Sequence, residues 1–289
     1  MLLSELTKLV DWLAANKLTL NIRKCNYVIF YPYQKKLRYD LDIKIFDLQL
    51  NRSVPLTSKD YVKYLGVLID SNLSWKYHIN YISTKISKSI GLIARLRHSL
   101  PRDTLITIYW ALIHPYLSYG LVVWGQTSKH LFEKLVILQK RVIRLIYFTN
   151  SKVTAIPLFI KAQIPPLNIM YFQSIANLMY DVVHNNAPTN LCNLFTPVSN
   201  VHSYATRSAT IKKLHIKPSR LNIQLNSFSR LGARLWNSIS LDTRNKSKFS
   251  FKMSIKSTLF HILEQEKSYV EVSNFIQLLS KSNQSNQLI

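Results

Sequence analysis

The stretch KYLGVLIDSNLSWKYHI, Lys63 to Ile79, is where one kind of chain gives way to another. Its first half contains YLGVLID (Tyr64–Asp70), rich in β-branched and aromatic residues, which predicts a strand. Gly66 falls inside that strand pattern, where a glycine marks a bulge or a close approach of another backbone or ligand; a packed strand that tolerates a glycine is the plainer reading. The second half opens a helix. From residue 76 to 98, Ile79, Ile82, Ile86, Ile90, Ile93 and Leu96 recur as one apolar stripe.

Upstream of this junction the pattern is mixed. Leu2, Leu6, Leu9, Val10 and Leu13 stand at helical spacing with Ser4 as a candidate N-cap. CNYVIF (Cys25–Phe30) and IKIFDLQL (Ile43–Leu50) read as two further strands. Downstream the pattern is helical. Pro101 opens a second helix, Leu131, Leu135, Leu138, Val142 and Leu145 mark a third, and more follow between Pro166 and Asn185. Residues 200 to 227 have no clear period, Phe228–Trp236 and Phe249–Leu263 are helical again, and the tail after Glu264 is polar. The fold class expected is α+β: a small strand-and-hairpin region followed by a mainly α-helical remainder.

Composition narrows the partners. The chain has 289 residues, 47% hydrophobic, enough to bury a core. Its net charge is +24, which destabilises a compact monomer unless a polyanion balances it. The excess is not uniform: residues 75–146 carry 11 basic and 2 acidic side chains, and residues 201–260 carry 12 and 1. Blocks this poor in acid favour contact with a polyanion over an ordinary solvated face, where opposite charges intersperse. Nucleic acid is the first candidate partner and an anionic membrane surface the second.

Other classes fall away. Two cysteines, Cys25 and Cys192, with no CxxC exclude a disulfide framework and a zinc knuckle. MLLSELTKLV lacks the basic start and long apolar core of a signal peptide, so an intracellular protein is expected, and the sequons at Asn51, Asn72, Asn245 and Asn283 read as chance. The uncharged run Thr104–Ser128 is long enough to cross a bilayer, but His114, Pro115, three tyrosines and two glycines interrupt it. A buried helical hairpin element is the better reading.

Two motifs taken together carry a resemblance. WLAANKLTLNIRKC (Trp12–Cys25) followed by KYLGVLID resembles the end of the polymerase domain of jockey-like, non-LTR (LINE-type) retrotransposon reverse transcriptases. The resemblance continues through Ile90–Leu96, PYLSYGLVVWG (Pro115–Gly125) and LQKRVIRLI (Leu138–Ile146), and ends in SFSRLGARLWNSISLDTRN (Ser227–Asn245). Ile239-Ser240 departs from the Leu-Pro usual in the family.

The resemblance implies a palm remnant at about 1–74, a helical thumb at 75–150, a basic helical C-terminal region at 151–264 and a polar tail at 265–289. It implies that Lys24 matches a lysine proposed as general acid toward the leaving pyrophosphate. Lys63, Tyr64 and Gly66 match a hairpin that grips the primer end. Lys85, Lys88 and Arg95, and then Lys140, Arg141 and Arg144, fall away from apolar stripes where phosphates could be reached. The family's paired catalytic aspartates hold two metal ions. No Asp-Asp pair occurs here, and Asp40, Asp42, Asp47, Asp60 and Asp70 do not match those positions. The expectation is therefore no complete catalytic set, no metal site and no cofactor in this chain, since Mg²⁺ would belong to the missing palm motifs. The partner expected is RNA or an RNA/DNA template–primer duplex, with no membrane and no small-molecule substrate, in the nucleus or a cytoplasmic ribonucleoprotein. A partial gene model of a longer active enzyme, or the inert product of a decayed element, are the alternatives.

Overall fold

Why the chain folds as it does is clearest at Leu167–Val183, LNIMYFQSIANLMYDVV, which is apolar nearly all round. Such a helix is stable only when covered on every side, and eleven of its residues, from Leu167 to Val182, are buried. It is the eighth helix, α8, of a computed structural model that describes residues 2–32, 34, 41–47, 51–201, 204, 206–219, 224, 227–266 and 276. The chain forms two compact units, Met1–Tyr81 and Ile82–Ile289.

In the first unit, α1 (Leu2–Ala15) packs on β2 (Lys44–Asp47), which pairs antiparallel with β3 (Arg52–Pro55). β1 (Asn26–Tyr27) runs parallel to β4 (Thr57–Ser58), and β5 (Tyr61–Tyr64) pairs antiparallel with β6 (Val67–Asp70). Among the described residues these make three sheets of two strands each. Ser4 lies inside α1 rather than capping it, because the helix already starts at Leu2. The strand expected over Cys25–Phe30 shrinks to two residues, and residues 48–50 of the next lie outside the described residues.

The largest correction concerns Gly66. Tyr64–Asp70 is not one strand: Leu65 (φ 44°) and Gly66 (φ 88°) are both left-handed and form a two-residue hairpin turn. Two positive φ angles in succession are the type I′ signature, which suits the twist of paired strands. Gly66 thus supplies a turn rather than a bulge.

Helix α2 (Lys76–Leu96) follows, with Ile79, Ile82, Ile86, Ile90 and Ile93 all buried as the stripe requires. Among the described residues of the second unit the further helices are α3 (Arg102–Leu112), α4 (His114–Ser118), α5 (Leu121–Trp124), α6 (Lys129–Ile146), α7 (Ile156–Lys161), α9 (Thr189–Cys192), α10 (Arg207–Thr210), α11 (Phe228–Ser238), α12 (Leu241–Arg244) and α13 (Lys248–Glu266). Helices α4, α5, α6, α11 and α13 all pack on α8, so residues on both sides of position 150 share one core. The architecture is α+β with a mainly helical remainder.

The uncharged run is a folded element. Leu105, Tyr109, Ile113, Leu117, Leu121 and Trp124 are buried, and no helix among the described residues is long and apolar enough to cross a membrane. Gly120 is left-handed (φ 63°) between α4 and α5. A Cβ at Gly125 would stand 2.4 Å from the Tyr171 ring, so only glycine lets α5 reach α8 there. Inside this core Gln139 donates to the Tyr109 hydroxyl at 2.8 Å and to the Pro165 carbonyl at 3.0 Å, and accepts the Leu167 N–H at 2.8 Å. That side chain satisfies a donor at the start of α8 which the helix itself cannot.

Candidate nucleic-acid interface

The β5–β6 hairpin places its side chains by strand alternation. Lys63 pairs with Leu68 and Tyr64 with Val67, next to the turn. Tyr61 and Lys63 share one face and meet α2 at matching intervals: Tyr61 stacks on Tyr77 (centroids 4.4 Å), and the Lys63 ammonium lies 6.0 Å from the Tyr81 ring centre. Two residues along a strand thus match four along a helix. At the tip Tyr64 is 62% exposed and Leu65 73%. Beside the hairpin opens a groove of about 600 Å³ lined by Asn26, Ser58, Lys59, Asp60, Tyr61, Val62 and Lys63.

The structure therefore gathers Lys63, Tyr64 and Gly66 on one hairpin. Lys24 ends a short 3₁₀ turn, Ile22–Lys24, with an exposed side chain, and does not line the groove. On α2, Lys88 and Arg95 are exposed opposite the isoleucine stripe, while Lys85 is half-buried. On α6, Arg141 is exposed opposite Leu135, Val142 and Ile146. Lys140 is half-buried; desolvation first, and then the Arg144 charge, lower its pKa against the opposing pull of Glu133. Arg144 is half-buried and gives its Nε–H to the Val153 carbonyl at 2.9 Å. Of these six cations, Lys88, Arg95 and Arg141 are the exposed ones.

The second basic block is partly structural. Arg244 is only 5% exposed, donates to the carbonyls of Lys212 (3.1 Å) and Ile211 (3.0 Å), and lies 5.9 Å from the Trp236 ring centre. Burial lowers its pKa. Arg230 donates to the Lys217 carbonyl at 2.9 Å, and Lys248 pairs with Asp181 at 2.6 Å. Asn237 holds Leu214 twice, accepting its N–H and donating to its carbonyl, each at 2.8 Å. The closing motif Ser227–Asn245 is thus a packing device that anchors the segment 211–214.

Asp70 and Asp42 each serve local contacts. Asp70 is buried and accepts three local hydrogen bonds, and Asp42 pairs with Lys44 at 2.6 Å. Asp40 lies outside the described residues. Among the described residues no group of three or more His, Cys, Asp or Glu stands together.

The sequence reading missed one cluster. Arg97 and His98 surround Phe148, and Arg102 and Lys161 surround Tyr147. The signal was present in Tyr147-Phe148, two aromatics directly after LQKRVIRLI. Which cations would reach them depended on the fold.

Comparison with known proteins accords with the motifs. Over 97 residues, 32% of the chain, it is 32% identical to a probable RNA-directed DNA polymerase from transposon X-element of Drosophila melanogaster. Over 86 residues, 28% of the chain, it is 36% identical to the RNA-directed DNA polymerase from mobile element jockey of the same fly. Over 138 residues, 46% of the chain, it is 29% identical to the jockey enzyme of Drosophila funebris. These similarities support a jockey-like, non-LTR reverse transcriptase region in this chain. The matched stretches span 11%, 9% and 14% of those relatives' lengths. No family model and no solved structure matches.

Proposed function

We propose that this chain is a non-catalytic, nucleic-acid-gripping part of a jockey-like reverse transcriptase that holds RNA or an RNA/DNA template–primer duplex. The observation that carries the reading is the outward placement of Lys88 and Arg95 on α2 and of Arg141 on α6, each opposite a buried apolar stripe. Cations fixed on rigid helices can follow a phosphate backbone without reading its sequence. In this reading residues 75–150 act as the thumb, Lys63, Tyr64 and Gly66 grip the primer end, and the work takes place in the nucleus or a ribonucleoprotein particle. Lys24 keeps its position as a general-acid candidate with no complete catalytic set beside it.

Binding of a labelled RNA/DNA duplex, titrated against salt, tests the proposal. With six to ten phosphate contacts, affinity is expected to fall by about 10³–10⁵ between roughly 50 and 200 mM salt. Affinity indifferent to salt would overturn it. The same protein, given primer–template, nucleotides and Mg²⁺, is expected to extend nothing above a blank. Extension abolished by Asp42→Asn alone would refute that reading.

A further inference from the structure

Within the unit 82–289, three chain segments bring their cations to two adjacent rings on a fourth. The Arg97 guanidinium carbon lies 5.4 Å from the Phe148 ring centre, and the His98 ring meets the same ring edge-on at 5.4 Å. Next to it the Arg102 guanidinium carbon stands 4.7 Å, and the Lys161 ammonium 5.8 Å, from the Tyr147 ring centre. The segments are the loop after α2, the first turn of α3, the C-terminal end of α6 and the last turn of α7. Arg97, Arg102 and Lys161 form no ion pair among the described residues, and Asp103 is the neighbouring carboxylate.

Folding alone does not account for Phe148. It sits just past the end of α6 with φ 55°, a left-handed conformation that glycine usually supplies at helix ends. The residue nevertheless stays 51% exposed. A strained backbone and a wetted aromatic are both unfavourable to the fold.

We infer that this cluster binds single-stranded nucleic acid, Phe148 stacking on a base while Arg97, Arg102 and Lys161 take the flanking phosphates. The inference rests on the nucleic-acid reading above and adds which form of nucleic acid this surface takes. A guanidinium over a ring uses its face and keeps its in-plane N–H donors for phosphate oxygens. Arg97 spends only its Nε–H, on His98 at 3.1 Å. Cations already held over rings lose less side-chain freedom when they grip. Bases inside a duplex are stacked on one another, whereas a single strand has bases free to lie on an exposed ring. An anionic membrane would use the same charges but not the ring's planarity.

The test uses the full chain with three probes: a fluorescein-labelled oligouridylate of about 12 nucleotides, an RNA/DNA duplex of about 16 base pairs, and phosphatidylserine vesicles. Phe148→Ala is expected to weaken single-strand binding roughly 5- to 150-fold while duplex affinity stays unchanged. Phe148→Trp is expected to restore it. Phe148→Leu keeps the bulk but lacks the ring, so a loss there identifies stacking rather than packing. Replacing Arg97, Arg102 and Lys161 by Gln is expected to lower the single-strand salt slope by about 2, at roughly 0.7 per phosphate. Wild-type protein that binds the single strand, with Phe148→Ala and Phe148→Leu binding it equally well, overturns the inference alone. So does a loss confined to the vesicles. Wild-type protein that binds neither oligonucleotide overturns the nucleic-acid reading itself.

Discussion

Asp70 fixes the approach to Trp75: its Oδ1 accepts the Trp75 backbone N–H at 2.8 Å. Its Oδ2 accepts the Ser74 N–H at 3.0 Å and the Ser74 hydroxyl at 2.6 Å. Leu73 and Trp75 both carry positive φ, 53° and 65°, in this turn between β6 and α2. Two strained residues persist because a buried carboxylate over-determines their geometry. Asp70→Ala is expected to cost about 2–4 kcal/mol, and Asp70→Asn, which keeps one acceptor, roughly half of that. Urea denaturation followed by circular dichroism measures it. A wild-type midpoint for Asp70→Ala would remove the structural role given to this carboxylate.

The helices were legible because their apolar residues recur at a spacing that burial enforces, and the isoleucines of α2 are all inside as the pattern requires. The hairpin was misread from periodicity because Leu65 is no ordinary turn residue; its left-handed conformation appears only in the paired structure. The resemblance, not the pattern, pointed to a hairpin at Lys63–Val67. Positions such as Asn237, Arg244 and Gly125 answer to partners far along the chain, at Leu214, Ile211 and Tyr171. No local pattern encodes such a partner. For the same reason the charge count of residues 201–260 overstated the cations free to meet a ligand.

Arg244 tests that last point. Its fork spans two carbonyls beside Trp236, which a lysine ammonium cannot reproduce. Arg244→Lys is expected to lower stability by about 2–4 kcal/mol, since a buried charge then lacks part of its partners. The salt slope of duplex binding by the folded variant is expected to stay unchanged. A slope reduced by about 1, with stability intact, would make Arg244 a phosphate contact instead.

His78 sets a pH dependence in the first unit. Its Nδ1 accepts the Leu68 N–H at 3.3 Å, and burial lowers its pKa from 6.5 to about 4. The folded state therefore holds the neutral ring, and the unfolded chain binds the extra proton between these values. Stability is fully present above pH 6.5 and is lost as pH falls toward 4. The loss reaches up to about 3 kcal/mol. His114, whose pKa burial also lowers, acts in the same direction in the second unit. His78→Gln is expected to flatten the part of the stability–pH curve that belongs to the first unit. Thermal melts from pH 4 to 7.5 that drop equally in the variant would show that another group is responsible.

The grip itself separates two accounts of the charge. One places it on Lys85, Lys88 and Arg95 of α2 with Lys140, Arg141 and Arg144 of α6; the other leaves it to residues 201–260. Lys88, Arg95 and Arg141 are exposed, whereas Lys85, Lys140 and Arg144 are half-buried, and Arg144 already donates to Val153. The three outer residues should therefore carry most of the effect. Replacing all six by Gln is expected to weaken duplex binding about equally for every sequence, because phosphate contacts carry no base information. The salt slope should fall by roughly 3, close to 0.9 for each outer cation. Gln matches Lys and Arg closely in helix propensity, so helix content should not change. The triple variant of Lys88, Arg95 and Arg141 should reproduce nearly the whole loss. If the six-fold variant instead keeps wild-type affinity and slope, α2 and α6 do not hold nucleic acid, and the basic segment from residue 201 onward does.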